Sequence, residues 1–321
     1  MKQSLLMNVL ALALVSLPLH GAVAQGSEPP LKLVVPYSPG GTTDHVARLL
    51  QKPLSNALGR TVMVENKPGA AGTIGTEYVA RDTSDGNTIL FGNPGPNAIV
   101  PALRKTGYDP IKDLKPLTTV AVMPLVLLVR SDEKFKSLKE FLQWAKGQQG
   151  HLNYGSSGIG SLAHLTGAEL SRRAGLNMMH VPYQGGSQVL RAIIQKDVFA
   201  TFVTGLESVG AIDTGQFSYL AVASSKRLPT LADVPAIAEE LPGFESVIWF
   251  AIFTSSHTTQ ATADTLRTAV IKAMQSPEFK QYMEQRHSEV VSSTPAQLTQ
   301  RIKQDMAHWK DVADKGNIPL Q

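Results

Sequence analysis

The sequence predicts an α/β protein of two doubly wound lobes joined by two crossing strands. Short β-branched runs alternate with amphipathic stretches along the chain. Helical patterns between most of the strands imply parallel pairing. A length of 321 residues suffices for about two domains, each with its own core.

Residues 1–24 read as a secretory leader. Lys2 supplies the positive start, residues 5–19 are almost wholly apolar, and Ala22-Val23-Ala24 matches a small-x-small cleavage pattern, so the cut is expected after Ala24. The apolar run stops at Pro18 and His20, short of the roughly 20 residues that span a membrane, and Pro124 interrupts residues 120–129. The mature chain is therefore expected in a bacterial periplasm without direct membrane insertion. Strands are expected over 31–37, 61–65, 88–92, 120–129, 152–154, 178–182, 198–203, 219–223 and 247–253. Helices are expected over 43–58, 74–81, 137–146, 161–174, 187–195, 261–274 and 295–314. Ser137, three residues before Glu140, and Thr294, before Pro295, mark two of the helix starts. The apolar runs 120–129 and 247–253 read as the crossings, which assigns 25–125 and 251–321 to lobe one and 126–250 to lobe two.

Composition removes several classes of function. The chain has no cysteine, which excludes disulfide scaffolds, thiolate metal sites and thiol nucleophiles. A net charge of +4 is spread over single or paired cations with acids nearby, so no basic stripe tracks a nucleic acid. There is no His-Glu-x-x-His, and the eight histidines show no paired ligand spacing, so no metal is expected. Neither a P-loop nor Gly-x-Gly-x-x-Gly is present, and no cofactor is expected.

Two glycine-rich loops carry the functional signal. Tyr37-Ser38-Pro39-Gly40-Gly41-Thr42-Thr43-Asp44 leaves a strand and enters a helix. Glycines let a ligand approach the backbone, and the first amides of the helix have no intrahelical acceptor and carry the positive end of its dipole. That combination holds a carboxylate or another oxyanion. Tyr154-Gly155-Ser156-Ser157-Gly158-Ile159-Gly160-Ser161 repeats the arrangement in lobe two. Facing lobes would bring both loops to one cleft at the carboxyl ends of their strands. His164, one turn after the second loop, reads as a helix residue bonded to loop backbone or as a general base for Ser156 or Ser157. His45 occupies the equivalent place in lobe one. Asp44 caps its own helix or receives a ligand's amine. Tyr183 ends a strand at a third glycine turn, and Trp249 packs the hinge or walls the cleft.

At these residues the chain resembles the Bug/TctC family of extracytoplasmic solute receptors, which serve tripartite tricarboxylate transporters in bacteria. Residues 35–44 resemble the family's first ligand loop. Val64-Glu65-Asn66-Lys67-Pro68-Gly69-Ala70-Ala71-Gly72, Leu152-Asn153-Tyr154-Gly155-Ser156-Ser157-Gly158 and His180-Val181-Pro182-Tyr183-Gln184-Gly185-Gly186 resemble further blocks. Leu220-Ala221-Val222-Ala223 with Arg227, Asp233-Val234-Pro235 and Pro242-Gly243-Phe244-Glu245 complete the series in order. The resemblance implies a type II-like Venus-flytrap fold, no catalysis, and a small organic carboxylate gripped between the lobes for delivery to a membrane permease. It adds the loop Gly92-Asn93-Pro94-Gly95-Pro96-Asn97 to the cleft. The expected ligand-binding set is Tyr37, Ser38, Gly40, Gly41, Thr42, Thr43, Asp44, Asn93, Gly155, Ser156, Ser157, Gly158, His164, Tyr183 and Thr204. Phe199 and Val203 stand where the family commonly carries aspartates, and Thr254-Ser255-Ser256-His257-Thr258-Thr259 replaces its usual turn, so an acid without an amine is expected. The alternatives are an exported serine hydrolase using Ser156 or Ser157 with His164, and a ligand-dependent partner of a signalling ectodomain.

Overall fold

All the strands expected from the β-branched runs are present in the computed structural model, which describes residues 29–135, 137–148, 152–316 and 318. The leader and its cleavage point lie outside the described residues. In chain order the first elements are β1 (Leu31–Val35), α1 (Thr42–Leu58), β2 (Val62–Asn66), α2 (Thr73–Ala80), β3 (Thr88–Gly92), α3 (Val100–Leu103) and β4 (Leu114–Arg130). Next come α4 (Leu138–Lys146), β5 (Leu152–Ser156), α5 (Leu162–Arg173), β6 (Met178–Pro182), α6 (Gly186–Gln195), β7 (Ala200–Thr204), α7 (Gly205–Ile212), β8 (Phe217–Val222) and α8 (Ile237–Glu240). The chain then returns through β9 (Val247–Ser255), α9 (Gln260–Met274), α10 (Pro277–Glu284) and α11 (Pro295–Lys315).

Local chemistry explains the helix starts. Ser137 accepts the Glu140 amide at the start of α4. Thr294 and Gln297 form a reciprocal capping box, with Pro295 in the first turn of α11. Four helices lie outside the expected set: α3, α7, α8 and α10. Of these, α7 and α10 begin on ordinary signals: Thr204 with Glu207, and Ser276 followed by Pro277.

Strands run β2-β1-β3-β9-β4 in the first lobe, with β1 parallel to β2 and β3. In the second lobe β4 continues between β7 and β8, and β5 pairs in parallel with β6 and β7. The shared strand β4 is 17 residues long and starts six residues before the expected 120. Pro116 and Pro124 lie in the stretch that pairs with β9, where the register shifts twice. An edge position and bulges accommodate a residue that cannot donate to the ladder. Residues 114–124 of β4 pair with β9, and from Leu125 onward it pairs with β7. The return crossing passes through Ser246, whose carbonyl accepts the Leu125 amide and whose own amide donates to Ala223. We place the lobe boundaries at these two switches, so 247–250 join the first sheet.

Helices cover both faces of each sheet. In lobe one, α1 contributes Val46, Ala47, Leu50 and Leu54 to a core shared with α9 and α10, while Leu298 and Ile302 of α11 cover the opposite face with Trp249. Trp249 is buried, donating Nε1–H to Asp305 Oδ2 at 2.6 Å, so it packs the lobe and does not wall the cleft. In lobe two, α4, α5 and α8 share one core, and α6 and α7 another. The lobes also meet directly. Trp309, Val312 and Ala313 of α11 pack with Leu165 of α5 and with Ile99, and His308 Nε2 lies 3.2 Å from Glu169 Oε2. On another contact, the Arg286 backbone and His287 press against Gly205, Tyr219 and Thr230.

Close approach of α5 to β5 gives a test of this packing. A Cβ on Gly167 would fall 2.1 Å from the Tyr154 ring, which is 2% exposed, whereas one on Gly210 in α7 meets nothing within 4 Å. Gly167→Ala is expected to destabilise the protein by about 1–3 kcal/mol. Gly210→Ala is expected to stabilise it by about 0.4–1 kcal/mol. Denaturant unfolding checks both signs.

Candidate functional site

The carboxyl ends of β1 and β3 in one lobe and of β5 and β7 in the other open on one cleft of about 590 Å³, lined from both lobes. This is where open α/β sheets bind ligands.

Lobe one offers a helix start without a side-chain cap. Gly41 is the N-cap of α1, and no side chain accepts the amides of the first turn. Thr42 and Thr43 line the cleft there, so unpaired amides and the positive end of the dipole sit at its wall. The loop before them is locked from behind. Gly40 turns with φ +87°, a conformation that favours glycine, and its amide donates to Asp44 Oδ2 at 2.9 Å. Asp44 also accepts from Arg48 Nε at 2.9–3.0 Å and from Asn66 Nδ2 at 2.8 Å. Burial pushes this carboxyl up, but the bonds from Arg48, Gly40 and Asn66 and the Arg48 charge prevail and hold it below its ordinary value. Asp44 thus ties Gly40, Arg48 and Asn66 together behind the cleft wall.

Asn93, 4% exposed after β3, orders the adjoining polar groups. Its Oδ1 accepts from the Tyr37 hydroxyl and the Gly95 amide, each at 3.0 Å, and its Nδ2 donates to Thr43 Oγ1 at 3.0 Å. Thr43 accepts in that bond, which leaves its own proton to donate into the cleft. Burial pushes the Tyr37 phenol up to about 12, against a smaller downward pull from Asn93, so it stays a neutral donor.

In lobe two the strand end and the loop divide the work. Gly155 and Ser156 belong to β5. A Cβ on Gly155 would meet Val189 at 2.6 Å, so this glycine serves packing. Ser156 is fully buried, with Oγ 2.7 Å from His180 Nε2 and bonded both ways to Gly158. His164 Nδ1 accepts the Gly160 amide at 3.0 Å, and its ring stacks on His180 with centroids 3.6 Å apart and planes 14° apart. His164 therefore braces the loop from behind and is not hydrogen-bonded to either serine. The loop it supports presents Ser157, Gly158, Ile159, Gly160 and Ser161 to the cleft. Thr204 caps α7. Glu207 Oε2 accepts from the Thr204 amide and hydroxyl at 3.1 Å, and Thr204 Oγ1 lies 3.3 Å from Thr42 Oγ1 across the gap. With the Thr204 proton on Glu207, Thr42 donates this bond between lobes.

Of the expected set, Tyr37, Thr42, Thr43, Asn93, Ser157, Gly158 and Thr204 line the cleft. Ser38, Gly40, Gly41, Asp44, Gly155, Ser156, His164 and Tyr183 do not; of these, Gly40, Asp44, Ser156, His164 and Tyr183 brace the loops that do. Tyr183 donates its amide to the Ser156 carbonyl and packs with the α6 core. His45 is exposed and stacks on Tyr282. Phe199 joins Phe135, Phe141 and Trp144 in an aromatic cluster, while Val203 lines the cleft. Sequence reasoning missed Glu207, Arg104, Leu103 and Ile159 as wall residues. Only Glu207 had a local signal, the Thr-x-x-Glu of its capping box. Among the described residues no group of three or more His, Asp or Glu is placed to hold a metal ion, and no helix is long and apolar enough to cross a membrane.

Comparison with known proteins places this geometry among solute receptors. The family described as "Tripartite tricarboxylate transporter family receptor" matches residues 46–318. The solved periplasmic binding protein BugD is 33% identical with a TM-score of 0.79, covering 92% of this chain and 99% of BugD. Rpa4515 of Rhodopseudomonas palustris, solved with adipate, is 31% identical with a TM-score of 0.80, covering 90% of this chain and 97% of that one. MatC from the same organism, solved with bound malate, is 30% identical with a TM-score of 0.76, covering 88% and 98%.

The histidine pair behind the second loop makes its folding sensitive to acid. Burial pushes both rings down from 6.5 to about 4, helped at His180 by the neighbouring His164, with Tyr154 as the other titratable ring packed against them. Between those pH values the unfolded chain binds more protons than the folded one, so the stability present above pH 6.5 is lost as pH falls through about 4. The melting temperature is expected to fall across that window, and less steeply in His180→Gln. Equal slopes would assign the loss elsewhere, for instance to His287, which burial also pushes down.

Proposed function

Since the chain belongs to the tripartite tricarboxylate transporter receptor family, we propose that it is a periplasmic receptor that captures a small organic carboxylate between its lobes and delivers it to a membrane permease, without turning it over. The observation that carries this reading is the uncapped start of α1, with Thr42 and Thr43 at the wall of a cleft closed on its other side by the loop at 157–161. The malate and adipate held by MatC and Rpa4515 support a carboxylate as the ligand. The leader-like start of the chain supports export.

In this reading the ligand's carboxylate sits at the α1 amides and accepts from Thr43 Oγ1, whose acceptor role is already filled by Asn93. Separation of the lobes breaks the Thr42–Thr204 contact and admits the acid, and closure adds donors from the second loop. Hydrogen bonds to a charged group contribute about 1.5–3 kcal/mol each. Micromolar affinity requires about 8 kcal/mol after ordering and desolvation are subtracted, so both lobes must contribute. Glu207 is the acid on the wall. Its Oε2 accepts from the Thr204 amide and hydroxyl.

Titration calorimetry with a panel of organic acids tests the proposal. Asn93→Asp reverses the donor that fixes Thr43 and adds a like charge, and is expected to weaken carboxylate binding at least tenfold. Thr43→Val removes the hydroxyl and is expected to do the same, with a lower melting temperature because the buried Asn93 Nδ2 loses its acceptor. Unchanged affinity in both variants would place the anion elsewhere. In competition, acids without an amine are expected to displace aspartate and glutamate, and a thermal shift larger for the amino acids would contradict that order.

A further inference from the structure

Apart from the charged Arg104 and Glu207, the cleft wall has two natures, and the second is not explained by holding a carboxylate. Beside the polar group around Thr43 and Asn93 lies an apolar surface drawn from both lobes: Val100 and Leu103 of α3 with Ile99, and Ile159 and Leu162 of the second loop and α5. The floor is also apolar where Leu125, Phe202, Val203 and Ile248 face the gap. Ile159 is 46% exposed at the tip of a loop otherwise made of serine and glycine, so it has no core to fill. Ile99, Leu103 and Leu162 pack against the Trp309 cluster behind them, which holds this surface in place. A cleft of about 590 Å³ falls in the range of pockets that enclose drug-sized ligands, about 300–1,000 Å³. A small polar di-acid would leave much of this wall against water.

We propose that the ligand is a carboxylate with an apolar body, an alkyl chain or an aryl ring. Its head lies at the start of α1, and its body lies between α3 and the Ile159 loop. This rests on the carboxylate-receptor reading above and adds the class of acid. Apolar lining with a few placed polar groups is how pockets combine affinity with orientation. Each methylene removed from water is worth about a fourfold gain in affinity.

Calorimetry on the full mature protein with acetate, malate, hexanoate and benzoate separates the cases. Hexanoate or benzoate is expected to bind at least tenfold more tightly than malate. Ile159→Ser, at an exposed position, is expected to weaken the apolar acids about fivefold while leaving acetate and malate unchanged. Malate binding as tightly as both apolar acids would overturn the inference while leaving the receptor reading intact. So would an Ile159→Ser variant, shown folded by its melting temperature, that loses nothing or loses affinity for all four acids equally. Failure of all four acids to bind would remove the carboxylate reading and this inference with it.

Discussion

Because β4 belongs to both sheets and changes partner between Pro124 and Leu125, the ends of β1 and β3 and those of β5 and β7 open toward a common gap. Everything at the cleft follows from that shared strand. A loop leaving a parallel strand must enter its helix at the strand's carboxyl end. In each lobe this brings glycine turns and helix starts to the same edge. The first-turn amides that cannot pair within α1 then face a wall built from the other lobe. A second strand passing at Ser246 ties the crossing to Ala223 and Leu125 by backbone bonds.

The chemistry of the site depends on which side chains are already occupied. Asp44, Ser156 and His164 looked eligible to touch a ligand, being polar and next to glycine turns. Asp44 is bonded to Gly40, Arg48 and Asn66, Ser156 to Gly158 and His180, and His164 Nδ1 to Gly160. Thr43 differs because Asn93 fills its acceptor side and leaves its proton to donate. Polar groups in such a network reinforce one another in a low-dielectric setting, and a half-filled network is costly. Behind the wall they fix backbone direction.

Much of the architecture was legible because apolar periodicity reports burial. The α1 stripe of Val46, Ala47, Leu50 and Leu54 is the core face it promises. The start of β4 was not legible, since Pro116 reads as a strand breaker unless the edge position and the bulges are known. The helix at α7 was missed although Thr204 and Glu207 spell its capping box. Glycine turns could point to the cleft but not to which of their residues face it, since that depends on the direction each turn takes. Leu103 and Ile159 reach the wall only through the meeting of the two lobes, and nothing near them in the chain announces it.

The apolar seam between α11 and α5 has a mechanical consequence. Trp309, Val312 and Ala313 lie against Leu165 in contacts that stabilise in proportion to the area kept dry. The two threonine hydroxyls that touch across the cleft can trade each other for water at little net cost. A rotation that parts the hydroxyls and the neighbouring contact of Arg286 and His287 with Gly205, Tyr219 and Thr230, while preserving the seam, pivots along the seam, like a book opened from its spine. The C-terminal helix would then act as a bearing.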